Sequence, residues 1–191
     1  MSNGSRFVRP LPCKSADESH TFARGGGTIG RAMPQLRALP LSDIAPGALY
    51  LSAMPGRFEP WADFHAAARR KRLALVLCLA PTDEVALTSP AYWQAVSEGS
   101  LPFRWLNPAM QNYGLPRDMP AFRSGIQRAA DALRAGDAVL LHCAAGIGRT
   151  GSAAACVLKQ LGLPTHEAMQ RVRAAGSNPE NALQSGLVDS F

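Results

Sequence analysis

The chain has 191 residues, of which 47% are hydrophobic, 18% charged and 7% aromatic, the composition of a folded globular protein rather than a disordered or fibrous one. No uncharged run approaches the length that a bilayer demands, so no membrane association is expected. The formal charge is +6, but residues 1–40 hold Arg6, Arg9, Lys14, Arg24, Arg31 and Arg37 against Asp17 and Glu18, so the excess sits in one stretch; lacking a basic face with aromatic platforms, the chain is not expected to bind nucleic acid.

Residues 1–43 carry prolines and the run Gly25-Gly26-Gly27 without helical or alternating apolar period, and read as a basic tail. From residue 44 to 191, short apolar runs alternate with longer amphipathic ones, which predicts one α/β domain with a central, mainly parallel sheet flanked by helices. Ala48–Leu51 reads as the first strand and Pro60–Arg72 as a helix with Trp61, Phe64, Ala67 and Ala68 on one face. Leu73–Ala80, apolar on both faces, predicts a strand buried between helical layers. A short helix over Ala91–Glu98 and a strand over Phe103–Leu106 follow, and prolines at 108, 116 and 120 place a loop next. Ala121–Ala135 reads as a helix stopped by Gly136, Ala138–His142 as a strand, and Ser152–Leu161, Thr165–Ala175 and a segment opened by Asn178-Pro179 as helices.

The strand Ala138–His142 runs into Cys143-Ala-Ala-Gly146-Ile147-Gly148-Arg149-Thr150-Gly151. A buried strand, a glycine-containing loop and a helix start in this order gather unpaired backbone N–H groups at a positive helix end, which makes an anion site. Cys143 at its mouth would have its thiolate stabilised by the same N–H groups and act as a nucleophile. Arg149 offers two N–H groups to two phosphoryl oxygens, and the Thr150 hydroxyl can donate to the cysteine sulfur. Ala144, Ala145, Gly146, Ile147 and Gly148 would supply the phosphate-binding backbone. The spacing Gly146-x-Gly148-x-x-Gly151 also fits a dinucleotide fingerprint, but no strand can be placed in the 40 residues that follow, which excludes that reading. Cys13, Cys78, Cys143 and Cys156 show no paired or metal-ligand spacing and no apolar leader is evident, so a reducing cytoplasmic setting without metal is expected.

His-Cys-Ala-Ala-Gly-Ile-Gly-Arg-Thr-Gly resembles the H-C-x-x-G-x-x-R-[ST]-G signature of the cysteine-dependent protein tyrosine phosphatases, and the chain length resembles their compact dual-specificity branch. Gly47–Gly56 and Asn112-Tyr-Gly-Leu-Pro116 resemble cyclin-dependent kinase inhibitor 3 and its bacterial relatives. The resemblance implies phosphotyrosine-containing protein as substrate, no cofactor, and a two-step reaction in which Cys143 takes up the phosphoryl group and water releases it. It also implies that Gln184 orients that water, although a plain surface glutamine fits the sequence as well. Some relatives keep a resolving thiol where Cys78 falls, which raises a reversible Cys78–Cys143 disulfide beside the alternative of an inert buried cysteine.

One position departs from the pattern. The relatives carry an aspartate as general acid where this chain has Asn112, and asparagine has no proton to give. Asp118, Asp83 or Glu84 can substitute if its loop reaches the site, while each is better explained as a solvated loop carboxylate or helix cap. With no acid, phenolate leaves far more readily than an alkoxide, which favours phosphotyrosine over phosphoserine and a flat alkaline pH limb. The other consequence is a phosphoprotein-binding module with weak turnover. Ala144, Ala145 and Ile147 put no lysine in the loop, which disfavours a phosphoinositide substrate.

Overall fold

In a computed structural model, the structure describes residues 36–191 except 42. Five strands form one sheet in the order β1-β2-β5-β3-β4: β1 (Arg37–Leu39), β2 (Ala48–Ser52), β3 (Leu73–Cys78), β4 (Arg104–Leu106) and β5 (Ala138–His142). Strands β2, β5, β3 and β4 run parallel, and only β1 is antiparallel to its neighbour. The helices are α1 (Trp61–Arg70), α2 (Thr82–Thr88), α3 (Pro90–Ser97), α4 (Met119–Arg134), α5 (Gly148–Gln160), α6 (Thr165–Ala174) and α7 (Ala182–Ser190). None of the described helices is long and apolar enough to cross a membrane.

Alternation along β5 divides the core. Val139 and Leu141 join the side chains of Phe122, Ile126 and Leu133 from α4 and Ala153–Leu158 from α5 on one face. Leu140 meets Phe64 and Ala68 of α1 on the other. The α5 helix is buried from Gly148 to Leu158, which explains its run of alanines: little room is left beside the sheet, and alanine has the strongest helix preference. Because β5 enters between β2 and β3, which are consecutive in the sequence, the carboxyl ends of all three strands open onto one crevice. His142 pairs with Ser52 on one side and Cys78 on the other, and Cys143 is the next residue.

The expected α/β architecture holds, with several boundaries moved. Within the stretch read as tail, Arg37–Leu39 forms the edge strand β1, and Leu39 and Leu41 are buried in the core; residues 1–35 lie outside the described residues. The segment 82–88, read as loop, is helix α2, with Asp83 and Glu84 in its first turn. Helix α5 begins at Gly148 rather than Ser152, so Arg149 and Thr150 already sit in its first turn. The last helix is capped not by Asn178 but by Asn181, whose side chain accepts from the Gln184 N–H.

Candidate active site

The loop between β5 and α5 is built so that its carbonyls bond outward. The Cys143 carbonyl faces His142 Nδ1 at 3.3 Å, the Ala144 carbonyl accepts from the Met54 N–H at 3.2 Å, and the Gly146 carbonyl accepts from Ser177 Oγ at 2.8 Å and from Arg37 Nη2. A trans peptide sets its N–H opposite its C=O, so the N–H groups of Ala144, Ala145 and Ile147 are turned away from those partners and into the loop. Gly146 makes the turn with a φ of +75°, and a Cβ there would collide with the backbone of Ser52 and Ala53. Its own N–H donates to Cys143 Sγ at 3.2 Å. Cys143, 2% exposed, thus sits at the base of a cradle of donors.

His142 is held in one tautomer by a buried chain. Trp105 Nε1 can only donate, and does so to the Tyr92 hydroxyl at 2.7 Å; the Tyr92 hydrogen is then free for His142 Nε2 at 3.0 Å, leaving Nδ1–H to donate to the Cys143 carbonyl. Burial holds His142 down at about 4, so the ring is neutral. Arg37, on the edge strand, reaches the loop from behind, donating also to Ser177 Oγ at 3.0 Å and to the Gly176 carbonyl at 2.6 Å. Its burial lowers its pKa, partly offset by the proximity of Cys143.

Arg149, 3% exposed, donates from Nη1 and Nη2 to the two carboxylate oxygens of Glu84 at 2.7 and 2.8 Å. Burial works against its cation, but the hydrogen bonds to Glu84 and the nearby Cys143 outweigh this and hold the guanidinium above its ordinary range. The fork contacting Glu84 uses the Nη1–Nη2 edge, which leaves the Nε–H and the second Nη2–H for a phosphoryl group.

Above this loop opens a cleft of about 310 Å³ lined by Arg57, Glu84, Thr88, Asn112, Tyr113, Cys143, Ala144, Ala145, Gly148, Arg149 and Glu180. Most of the sequence-derived site therefore comes together, including Asn112 at the wall. Gly146 and Ile147 do not line the cleft: Gly146 is buried, and Ile147 is 41% exposed. Thr150 is buried, but its hydroxyl has no hydrogen-bond partner among the described residues, so the expected bond to the Cys143 sulfur is not formed. None of the three candidate acids offers a free carboxyl to the cleft. Asp118 caps α4 by accepting from the Ala121 N–H at 2.9 Å, Glu84 has both oxygens on Arg149, and Asp83 does not line the cleft. Gln184, also absent from the cleft wall, is buried and accepts from the Glu180 N–H at 2.8 Å. Cys78 is buried beside this region; burial pushes its thiol up to about 12, and its Sγ–H donates to the Ala80 carbonyl at 3.5 Å.

Sequence reading missed Arg37, Tyr92, Trp105, Arg57 and Glu180. Each reaches the site through tertiary packing from a segment with no motif of its own. Trp105 and Tyr92 carried one usable signal: large polar-tipped aromatics within core-forming segments need partners when buried.

The fold is that of the cysteine-based dual-specificity phosphatases. The crystal structure of the kinase-associated phosphatase KAP, with its catalytic-site cysteine replaced by serine, matches with a TM-score of 0.72 at 16% identity, over 84% of this chain and 95% of that one. Tk-PTP in its active form matches at 0.61 and 21% identity, over 81% and 95%. PTPMT1 in complex with PI(5)P matches at 0.61 and 17% identity, over 78% and 91%. In sequence, a model described as the tyrosine phosphatase family matches residues 106–171, the stretch holding Asn112, Cys143 and Arg149. No curated protein matches the chain.

Proposed function

We propose that the protein is a phosphatase that hydrolyses phosphotyrosine in protein substrates through a phosphocysteine on Cys143. One observation carries this reading: Cys143 lies at the base of a loop in which the carbonyls of Cys143, Ala144 and Gly146 are bonded outward, beside an arginine with donors to spare. The tyrosine phosphatase family match over the same residues supports phosphatase chemistry. In the first step Cys143 Sγ attacks phosphorus while the loop N–H groups and Arg149 take up the charge growing on the equatorial oxygens. In the second, water displaces the sulfur and orthophosphate leaves.

The substrate class follows from the leaving group and the loop. Asn112 stands at the cleft wall where the resemblance places an acid, and it has no proton to deliver from there; a phenolate depends less than an alkoxide on a proton donor, whichever wall supplies it. PI(5)P is bound by the neighbour PTPMT1, but here Ala144, Ala145 and Ile147 give the loop no side-chain cation to meet an inositol phosphate. A second reading rests on Asn112 as well: a phosphoprotein-binding module whose pocket is intact and whose turnover is weak. Phosphate release from a phosphotyrosine and a phosphoserine peptide, with Cys143→Ser alongside, decides between them. Turnover of the tyrosine peptide that Cys143→Ser abolishes is the expected result; tight binding without turnover favours the module.

A further inference from the structure

Among the carboxylates near the cleft, Glu84 is committed to Arg149, Asp118 to the cap of α4, and Asp83 does not line the wall. Glu180 does line it, is exposed, and has no hydrogen bond or ion pair to its carboxylate among the described residues. Its carboxylate stands over Gly148, the first residue of α5, in the space that a Cβ on Gly148 would fill. The position is framed on both sides. The Glu180 N–H donates to the buried Gln184 Oε1 at 2.8 Å, and the neighbouring Asn181 donates from Nδ2 to the Tyr113 carbonyl at 2.7 Å. Asn181 and Tyr113 directly follow Glu180 and Asn112, so one hydrogen bond ties the segment bearing Glu180 to the loop bearing Asn112.

We propose, on the reading that the protein is a phosphocysteine-forming phosphatase, that Glu180 is its proton donor, doing from another wall of the cleft what Asn112 cannot do. When Cys143 Sγ forms its bond to phosphorus, the bond from phosphorus to the ester oxygen breaks, its electron pair stays on that oxygen, and the Glu180 carboxyl proton goes there. In the second step the Glu180 carboxylate takes a proton from the attacking water. The new phosphorus–oxygen bond forms as the phosphorus–sulfur bond breaks, and the electron pair returns to sulfur. The other charged or titratable groups facing this space are Cys143 and Arg149 from the loop and α5, Glu84 from α2, Arg57 from the segment after β2, and Tyr113 from the loop before α4. Gln184, whose oxygen is spent on the Glu180 N–H, is then a positioning residue for the acid.

The test compares phenyl phosphate, whose leaving phenolate needs a proton, with 4-nitrophenyl phosphate, whose leaving group does not. Glu180→Gln should lower kcat/KM for phenyl phosphate by about 100-fold or more, leave 4-nitrophenyl phosphate much less affected, and remove the alkaline limb of the pH profile. Adding Asn112→Asp to that variant should restore both rate and limb. Equal losses on the two substrates, no loss on either, or an alkaline limb that survives Glu180→Gln would overturn the assignment. Unmodified protein that turns over neither substrate would overturn the phosphatase reading and the assignment with it, whereas turnover lost on Cys143→Ser but indifferent to Glu180 would overturn the assignment alone.

Discussion

Acid should destabilise this protein through a histidine rather than through its carboxylates alone. His142 is fully buried and held at about 4 by burial, against an ordinary value of 6.5. The unfolded chain therefore takes up a proton near pH 6.5 that the folded chain refuses until about pH 4. The stability is fully present above 6.5 and is lost progressively as pH falls toward about 4. At about 1.4 kcal/mol per pH unit the gap amounts to about 3 kcal/mol, a large share of the ~5–15 kcal/mol typical of a domain. Asp43 contributes below this window, because its hydrogen bonds from Arg171 hold its carboxyl at about 2. Urea unfolding followed by tryptophan fluorescence from about pH 7.5 to 4.5 reads the slope directly. His142→Gln, which cannot titrate, should be less stable at neutral pH but lose less on acidification. A flat profile in the unmodified protein, or the same slope in His142→Gln, would refute the claim that a buried neutral histidine anchors the loop.

Other substitutions test separate parts of the site. Glu84→Gln removes the charged partner of the buried Arg149, and because Glu84 is itself 27% exposed the loss should be about 2 kcal/mol in thermal unfolding; unchanged stability would show that the pair contributes nothing. Gly146→Ala meets both a φ of +75° and the Ser52 backbone, so it should cost about 1–3 kcal/mol and abolish phosphate binding measured by calorimetry; retained binding would mean that the loop can form another way. Asp118→Ala should cost about 1 kcal/mol through loss of the α4 cap while leaving the pH–rate profile unchanged. Loss of the alkaline limb in that variant would make Asp118 the acid after all.

How far the sequence carried the reading differs from element to element. Strand β5 and the loop were legible because an apolar run ending in a glycine-containing turn has few alternatives, and the limits 138–142 agree with the structure. The start of α5 was not, because Gly148 and Gly151 lower helix preference locally while packing against the sheet and the Asn178 backbone imposes the helix. Helix α2 was hidden by its seven-residue length and by a proline that reads equally as loop, and β1 by having only three residues. In the site, the nucleophile and the arginine share one contiguous motif with its own local geometry. Glu180 and Arg37 reach it only after α7 and the edge strand have packed, so no spacing in the chain announces them.

The central claim is that phosphate transfers to Cys143. The most direct measurement mixes the protein with a phosphotyrosine peptide, quenches it in acid within a turnover, and locates the modification by mass spectrometry of the peptide containing Cys143. A phosphoryl group on Cys143, absent from the Cys143→Ser variant, is the predicted result. Phosphate release without any phosphocysteine in the quenched protein, or release that survives Cys143→Ser, would contradict the account.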